Sequence, residues 1–278
     1  MNILFYGNCQ VFAILKTLNL PQTYTIYHIE CFNTDITKED FTNIIQKCDI
    51  IITQPINDNY KNVDYLSTSY INKNKNINCK LIIFDSCYFN FYYFDLTYKF
   101  FNNELLRKPI DYHYNGMLKS YINGNTIDEY INNFVNNIDL KTNEELETLA
   151  GNSLQELLNR NNNIKNEYNN ASIISTHDYI KTNYKNKLLF YSMNHPTSYV
   201  IQYICEEIIN ILNIPNTINY TIDIISNPKC ILYKCISKVV NFDINNHNPS
   251  TLNNKDVHTI TQLYYNTYKE INYNEENK

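Results

Sequence analysis

Residues 1–10 (MNILFYGNCQ) change from a strand-like apolar run into a helix-like one, and Gly7 marks the change. The chain has only four glycines, so each is expected where other residues cannot adopt the backbone conformation cheaply. A buried strand that turns directly into a helix is typical of parallel α/β sheets, which bind ligands beyond the carboxyl ends of their strands. The segment therefore predicts an α/β fold with Asn8 and Cys9 at that edge of the sheet.

Further apolar segments alternate with helix-like ones through the first third of the chain. The predicted strands cover residues 2–6, 24–29, 49–53 and 80–84, and the predicted helices cover residues 10–18, 37–46 and 63–70. Residues 50–52 and 81–84 are apolar at consecutive positions, as expected of strands that are covered on both faces. We therefore expect a mainly parallel sheet flanked by helices.

The middle of the chain has leucines at helical spacing, which predicts a helical insertion or lid over residues 118–170. The α/β pattern resumes with predicted strands at 172–175 and 188–191 and a helix at 198–212. We thus expect an α/β domain over residues 1–212, including the insertion. Residues 213–278 are expected to form a β-containing extension, with β-rich runs at 220–225 and 230–240 and a frayed end at 272–278.

Composition excludes several classes of protein. The chain has 278 residues, a net charge of -5 and a pI near 5.7, so no basic field is expected to bind nucleic acid or an anionic membrane. No secretory signal or membrane-spanning run is found, and the eight cysteines are scattered without a Cys-x-x-Cys pair. These features predict a cytoplasmic protein with reduced cysteines, most of them small core residues.

Cys9 is the exception among the cysteines, because it begins a predicted helix. The positive end of the helix dipole and the free N–H groups there favour a thiolate over a thiol. The same N–H groups can stabilise an oxyanion. An arbitrary cysteine is more often a buried small hydrophobic residue, but the strand-Gly-Asn-Cys-Gln-helix pattern favours an active-site role.

Two of the six histidines are candidates for proton transfer. His195 follows the predicted strand at 188–191 and lies beside Asn194, at another strand-to-helix turn. His113 lies between Pro109 and Gly116 and is expected in a loop, free to point into a cleft. A lone histidine is more often structural. With both at turns that flank the sheet, we expect a cysteine and histidine pairing.

Other polar residues follow the predicted strands. Gln54 follows the third strand and could donate to an oxyanion, as could Asn8 and Gln10. Asp85, which precedes Ser86, could orient a histidine or cap a helix. Arg107 and Arg160 are the only arginines, and either is a candidate for binding phosphate, with a surface salt bridge as the alternative.

Motifs that are absent narrow the chemistry further. The sequence has no phosphate-binding P-loop, no dinucleotide fingerprint and no His-Glu-x-x-His metal helix. Kinase, dehydrogenase and zinc-protease functions are therefore not expected, and no metal site is predicted.

Five motifs in order resemble the WcbI-like family of polysaccharide-biosynthesis acetyltransferases. They are Gly7-Asn8-Cys9-Gln10, Thr53-Gln54-Pro55-Ile56, Asp111-Tyr112-His113, Ser153-Leu154-Gln155-Glu156-Leu157 with Arg160, and residues 190–197, and together they cover residues 1–212. The resemblance implies a sheet similar to that of SGNH hydrolases and Rossmann-like folds, and a coenzyme A-binding acetyltransferase that modifies a sugar.

The same resemblance implies roles for individual residues. Cys9 matches the motif cysteine of the family, and His113 and His195 match its two motif histidines. Tyr114 stands where the family usually has a second aspartate, so an adjacent acidic partner for His113 is missing. The predicted coenzyme A contacts are Gly7, Ser86 and Arg160, and the predicted oxyanion or substrate contacts are Asn8, Gln10, Gln54 and Asn194.

These expectations together predict acetyl transfer from acetyl-CoA to an amine or hydroxyl of a sugar. Cys9 either carries the acetyl group as a thioester or only shapes the site while a histidine deprotonates the acceptor. The Asn, Ile and Tyr bias is similar to that of large DNA viruses that build their own glycans, which would place the protein in host cytoplasm and suggest a nucleotide-linked amino sugar as acceptor. The alternatives are a carbohydrate esterase or deacetylase and a non-catalytic glycan-binding module. A homodimer is a further expectation.

Overall fold

The computed structural model describes residues 1–215, 218–220, 224–225, 228–247 and 255–273. The strands are β1 (Asn2–Gly7), β2 (Thr25–Glu30), β3 (Ile50–Thr53), β4 (Lys80–Phe84), β5 (Leu96–Tyr98), β6 (Phe100–Phe101), β7 (Glu104–Leu105), β8 (Tyr112–Tyr114), β9 (Ser172–Ile174), β10 (Phe190–Ser192) and β11 (His195–Pro196). The α-helices are α1 (Cys9–Thr17), α2 (Lys38–Lys47), α3 (Thr68–Asn74), α4 (Asn115–Ile122), α5 (Ile127–Tyr130), α6 (Asn143–Glu167), α7 (His177–Asn183), α8 (Ser198–Leu212) and α9 (Val257–Glu270).

The chain divides into two units, each made of three segments. Unit 1 comprises Met1–Tyr88, Leu154–Thr182 and Pro196–Ile225, and unit 2 comprises Phe89–Ser153, Asn183–His195 and Ser226–Lys278. In the part of the chain that the structure describes, no helix is long and apolar enough to cross a membrane.

Unit 1 is built on a parallel sheet of five strands in the order β2-β1-β3-β4-β9. The central strands β1, β3 and β4 are almost fully buried, because helices cover both faces of the sheet. The register pairs Gly7 with Glu30 and Tyr6 with Thr53, so the strands end at one common edge. This arrangement confirms the predicted α/β fold.

Local sequence signals explain where the helices of unit 1 begin. Thr37 caps α2, because its hydroxyl accepts a hydrogen bond from the Asp40 N–H at 3.1 Å. Ser67 caps α3 in the same way by accepting from the Tyr70 N–H. The third helix was predicted at residues 63–70, so the helix begins five residues later than expected.

Unit 2 has a core rich in tyrosine and only short strands. β5 pairs with β8 in antiparallel fashion, and Thr97 lies opposite His113. The helix α5 and the first part of α6 fall within residues 118–170, the segment that the sequence predicts to be helical, and α4 begins three residues before it. A π-helix at Ile131–Val135 continues α5.

One prediction for the last part of the chain is wrong, and one helix there was not predicted. Residues 230–240 form no strand. They are apolar because Cys230, Ile231, Leu232 and Tyr233 are buried in the core of unit 2, and a 3-10 helix follows at Lys234–Lys238. The helix α9 was not predicted at all. The described residues do not include residues 221–223 of the β-rich run predicted at 220–225, or residues 274–278 of the predicted frayed end.

Candidate functional site

Gly7 allows the chain to turn from β1 directly into α1. Its φ angle is +156°, a conformation that L-residues rarely adopt. A Cβ atom at this position would lie 2.4 Å from Cγ2 of Val11 and 2.8 Å from Oε1 of Gln54. Gly7 is therefore required by both backbone conformation and packing. Its structural role here is to let α1 begin two residues after the strand ends.

Cys9 is the first residue of α1. Asn8 is the N-cap, and its Oδ1 accepts a hydrogen bond from the Gln10 N–H at 2.9 Å. Seven of the eight cysteines are buried, and Cys9 is partly exposed. Cys9 is thus the cysteine residue with the greatest exposure to solvent.

Burial controls the acidity of Cys9. It raises the pKa of the Cys9 thiol above its ordinary value, and the backbone N–H groups of Cys9 and Gln10 act in the opposite direction without overcoming it. The N–H groups at the helix N-terminus thus favour the thiolate, as expected, but in the protein alone desolvation outweighs them and the net shift of the Cys9 pKa is upward.

Two buried glutamines connect the loops that follow β1, β3 and β4. Gln10 and Gln54 are 2% and 1% exposed. Oε1 of Gln10 accepts from Nε2 of Gln54 at 2.8 Å and from the Cys87 N–H at 3.1 Å, and Nε2 of Gln10 donates to the Cys87 carbonyl at 3.0 Å. Oε1 of Gln54 accepts from the Asn8 N–H at 3.0 Å. We call this network the glutamine clamp.

The glutamine clamp changes the interpretation of three predicted oxyanion contacts. The side chains of Gln10 and Gln54 are engaged by protein groups, and the Asn8 N–H is bound to Gln54. Their observed role is to hold the residues on both sides of Cys9. The structure thus brings Asn8, Cys9, Gln10 and Gln54 together at the sheet edge, as the sequence predicts.

A groove of about 480 Å³ borders the clamp within unit 1. Its lining residues are Pro55, Asn57, Ser86, Arg160, Asn163, Ile164 and Glu167. Two lining residues are chain neighbours of the clamp: Pro55 follows Gln54, and Ser86 precedes Cys87. Ser86 and Arg160, two of the predicted coenzyme A contacts, share this groove.

Arg160 is held in a defined orientation. Its Nε donates to Oε1 of Glu156 at 2.7 Å, and its guanidinium carbon lies 4.8 Å from the centroid of the Tyr88 ring. The guanidinium of the other arginine, Arg107, lies 3.2 Å from Oδ2 of Asp111 in an exposed ion pair. This pair is the surface salt bridge considered above as the alternative to phosphate binding.

Asp85 is fully buried between β4 and β9. Its Oδ2 accepts a hydrogen bond from the Thr176 N–H at 2.9 Å, so it holds the turn before α7 and does not orient a histidine through that oxygen. Burial raises the pKa of the Asp85 carboxyl to about 6. Oδ1 is buried without a hydrogen-bond partner among the residues that the structure describes.

His195 and Asn194 lie in unit 2, in a network of aromatic hydroxyl groups. Oδ1 of Asn194 accepts from the Tyr112 hydroxyl at 2.7 Å, and its Nδ2 donates to the Tyr98 hydroxyl at 3.3 Å. The Tyr112 ring meets the His195 ring edge-on at 6.0 Å between centroids. Burial lowers the pKa of His195, so its imidazole is neutral at neutral pH.

The prediction that His113 lies in a loop and points into a cleft is wrong. His113 is the central residue of β8, is 0% exposed, and has both ring nitrogens engaged. Nδ1 lies 3.0 Å from the Tyr268 hydroxyl, and Nε2 lies 3.1 Å from the Leu106 carbonyl. Burial lowers its pKa to about 4. Successive residues of a strand point to opposite faces, so His113 points away from the side on which Tyr112 contacts His195.

Sequence reasoning set aside His177, which the structure places at the same sheet edge of unit 1 as Cys9. It begins α7, is 8% exposed, and its Nδ1 lies 2.8 Å from Oδ1 of Asp178. A signal was available, because His177 follows the predicted strand at 172–175 as Cys9 follows the first strand.

Comparisons with known proteins agree with this architecture. The sequence model of the family described as polysaccharide biosynthesis enzyme WcbI matches residues 2–217. A solved structure of WcbI superposes with a TM-score of 0.79 and 18% sequence identity, covering 97% of this chain and 90% of the other. That structure is described as a novel polysaccharide biosynthesis enzyme, in a native form without a disulfide bond between coenzyme A and one of its cysteines.

No curated protein sequence matches the chain significantly. The match to the family model extends over most of the chain and includes the motifs around Cys9, Gln54, His113 and His195 that carried the resemblance. The chain therefore belongs to the WcbI family of polysaccharide biosynthesis enzymes.

Proposed function

We propose that this protein transfers an acetyl group from acetyl-CoA to an amine or hydroxyl of a sugar, with a nucleotide-linked amino sugar as the acceptor. The observation that carries the proposal is Cys9, the partly exposed cysteine at the carboxyl edge of the sheet, whose neighbours Asn8 and Gln10 are held by the glutamine clamp. Membership of a polysaccharide-biosynthesis family supports a sugar as the acceptor.

The residues of unit 1 fit coenzyme A in part. A volume of about 480 Å³ is in the range of small-molecule sites. Arg160 offers a guanidinium for a phosphate, and the hydroxyl of Ser86 with the amides of Asn57 and Asn163 offers further hydrogen bonds. Glu167 in the same groove opposes binding of a phosphate next to it. When bound, coenzyme A supplies the acetyl group as a thioester.

The disulfide named for the related structure supports a role for Cys9. A protein cysteine that can form a disulfide with coenzyme A must reach its sulfur atom, which is the atom that carries the acetyl group. In this chain the partly exposed cysteine is Cys9. We therefore assign Cys9 to the end of the site where the acetyl group is transferred.

Two routes use Cys9 differently. In the first, the Cys9 sulfur attacks the thioester, and the Cys9 proton leaves with the coenzyme A thiol as its bond to the acetyl carbon breaks. The sugar amine or hydroxyl then takes the acetyl group, and its proton returns to the Cys9 sulfur. The N–H groups of Cys9 and Gln10 stabilise negative charge at this sulfur. In the second, the acceptor attacks the thioester directly. Rapid-quench mass spectrometry separates the routes: acetylated Cys9 supports the first, and full activity of Cys9→Ala with no acetyl-enzyme excludes it.

The function itself is tested by acetyl transfer to a panel of nucleotide-linked amino sugars, with calorimetric titration of coenzyme A alongside. We expect coenzyme A binding and acetylation of at least one acceptor. Release of acetate from acetylated glycans without coenzyme A would show an esterase. Glycan binding that survives Cys9→Ala, with no turnover of any substrate, would show a binding module.

A further inference from the structure

One face of α6 forms a wall of the groove in unit 1. Four of the lining residues recur at intervals of three and four, the spacing that places helical side chains on one face: Arg160, Asn163, Ile164 and Glu167. Ile164 is 4% exposed and belongs to the hydrophobic core of unit 1, so it anchors this face while the three polar residues border the opening. A single helix therefore fixes the polar surface of the groove.

The two charged residues of this wall have opposite signs and lie at its two ends. Glu167 follows Arg160 by seven positions, which is about 10 Å along the axis of an α-helix. Within the part of the chain that the structure describes, Glu167 forms no ion pair. The groove is thus positive at one end and negative at the other.

Arg160 keeps donors for a ligand. Its Nε donates to Oε1 of Glu156, whereas no hydrogen bond from Nη1 or Nη2 is found among the described residues. The side chains of the Arg160 and Glu156 pair are 39% and 51% exposed, and such exposed pairs contribute little free energy. A phosphate at the guanidinium therefore gains donors without having to break a strong ion pair.

The positive end of the groove is the end nearer to the glutamine clamp. The Arg160 guanidinium packs against the ring of Tyr88, and the clamp binds the backbone of Cys87, the residue before Tyr88. Glu167 is the last residue of α6, five positions before β9 begins. Because β9 is parallel to β4, it begins at the edge of the sheet opposite to the one where the strands end. Glu167 therefore marks the end of the groove farther from Cys9.

We propose that this groove binds the nucleoside diphosphate part of the acceptor, an inference that rests on the proposed use of a nucleotide-linked sugar. The diphosphate lies at Arg160, and the ribose hydroxyls donate to the carboxylate of Glu167, as they do to acidic residues in dinucleotide-binding folds. The sugar is attached to the other side of the diphosphate and extends towards Cys9. The order of ribose, diphosphate and sugar in the ligand thus matches the order of Glu167, Arg160 and Cys9 in unit 1.

The polarity of the groove distinguishes this ligand from coenzyme A. The ribose of coenzyme A carries a 3′-phosphate, and with the ribose at Glu167 this anion would meet the carboxylate. In the reverse orientation the 3′-phosphate lies at Arg160, but the thioester then extends past Glu167, away from Cys9. A nucleoside diphosphate with free ribose hydroxyls has neither conflict. Arg160 and Ser86 are therefore assigned to the acceptor instead of coenzyme A.

Calorimetric titration of the full-length protein with ADP, CDP, GDP and UDP tests the groove without any turnover. We expect at least one diphosphate to bind, and Arg160→Gln to weaken its binding by about 10- to 100-fold, because charge-assisted hydrogen bonds to phosphate are lost. The matched control Arg107→Gln, at the other arginine, should leave the dissociation constant unchanged. Failure of all four diphosphates to bind, or undiminished binding in Arg160→Gln, would overturn the inference.

The ribose contact is tested with the 2′,3′-dideoxy form of the diphosphate that binds most tightly. We expect the wild type to bind this form about 10-fold more weakly than the ribose form, and Glu167→Ala to bring the two affinities to within about 2-fold. The ratio cancels the effect of the lost charge on the diphosphate, which both ligands share. The exposed Glu39→Ala should keep the ratio of the wild type. A ratio that persists in Glu167→Ala would overturn the ribose contact.

Coenzyme A separates this inference from the proposed reaction. We expect saturating coenzyme A to leave the dissociation constant of the diphosphate unchanged, because the two ligands occupy different places. Mutually exclusive binding would assign the groove to coenzyme A and overturn the inference. If the diphosphate binds through Arg160 and Glu167 but no acetyl transfer is found, the assignment of the groove stands and the proposed reaction alone is wrong.

Discussion

Substituting each of the four glycines by alanine separates backbone strain from steric overlap. At Gly7 both effects are present, because φ is +156° and the new Cβ would lie 2.4 Å from Val11. Strain in this region costs about 1–2 kcal/mol, and overpacking costs about 1–3 kcal/mol. We therefore expect Gly7→Ala to lower the free energy of unfolding by about 2–5 kcal/mol.

The other three glycines provide the controls. Gly124 has a φ of +73° and open space around it, so Gly124→Ala reports strain alone. Gly116 shows no positive φ, but its Cβ would lie 2.5 Å from the Phe134 ring. Because Gly116 lies in α4, Gly116→Ala reports this overlap minus a helix-propensity gain of about 0.5–1 kcal/mol. Gly151 lies in α6 with nothing within 4 Å, and Gly151→Ala should stabilise the protein by about 0.5–1 kcal/mol.

Urea denaturation followed by circular dichroism measures all four free energies of unfolding. From most to least stable, we expect Gly151→Ala, the wild type, the pair Gly116→Ala and Gly124→Ala, and finally Gly7→Ala. A Gly7→Ala variant no less stable than Gly124→Ala would refute the reasoning, because the turn between β1 and α1 would then tolerate a side chain. In the folded fraction of Gly7→Ala we also expect slower alkylation of Cys9, since the overlap with Gln54 displaces the clamp.

Three further predictions concern the clamp, Cys9 and His113. Gln10→Met leaves the Cys87 backbone groups and Nε2 of Gln54 without their partner and should destabilise the protein by about 2–4 kcal/mol in urea, whereas the exposed Gln155→Met should change little. The rate of Cys9 alkylation by iodoacetamide should keep rising above pH 9, the ordinary thiol value, because burial raises the pKa; a plateau at lower pH would contradict this. The pKa of His113 falls from 6.5 to about 4 on folding. Between pH 6.5 and pH 4 the His113 side chain is therefore protonated more in the unfolded chain than in the folded protein. The free energy of unfolding consequently decreases as the pH falls through this range. Urea midpoints from pH 7 to 4 should therefore decline less for His113→Gln than for the wild type, and parallel declines would disprove the assignment.

The sheet of unit 1 could be predicted from sequence because its strands are buried on both faces. Runs such as residues 50–52 and 81–84 leave no polar face, and the strand, glycine and helix around Gly7 follow from local chemistry. The same reasoning placed Asn8, Cys9, Gln10 and Gln54 at one edge. It could not show that the two glutamines bind each other, because that depends on the positions of three loops in space.

Unit 2 was harder to predict because long-range packing determines its structure. The apolar residues 230–233 look like a strand but are buried, and Tyr114 and Tyr130 from distant segments contact Ile231 and Tyr233. His113 was predicted to lie in a loop because Pro109 and Gly116 flank it. In the structure it lies in β8 and pairs with Thr97 of the antiparallel strand β5. For α9 a signal was present: Ile260, Tyr264 and Tyr268 recur at intervals of four, and Asp256 caps the helix.

The order in which the segments of the two units occur along the chain has a consequence for synthesis on the ribosome. All five strands of the parallel sheet lie within residues 2–174, so the sheet can assemble once its last strand has emerged. The core of unit 2 needs Tyr264 and Tyr268, whose hydroxyls bind the Tyr112 carbonyl and His113 across more than 150 residues. Translation therefore delivers the strands of the parallel sheet first, and β8 must wait for nearly the whole chain before its last hydrogen-bond partners arrive.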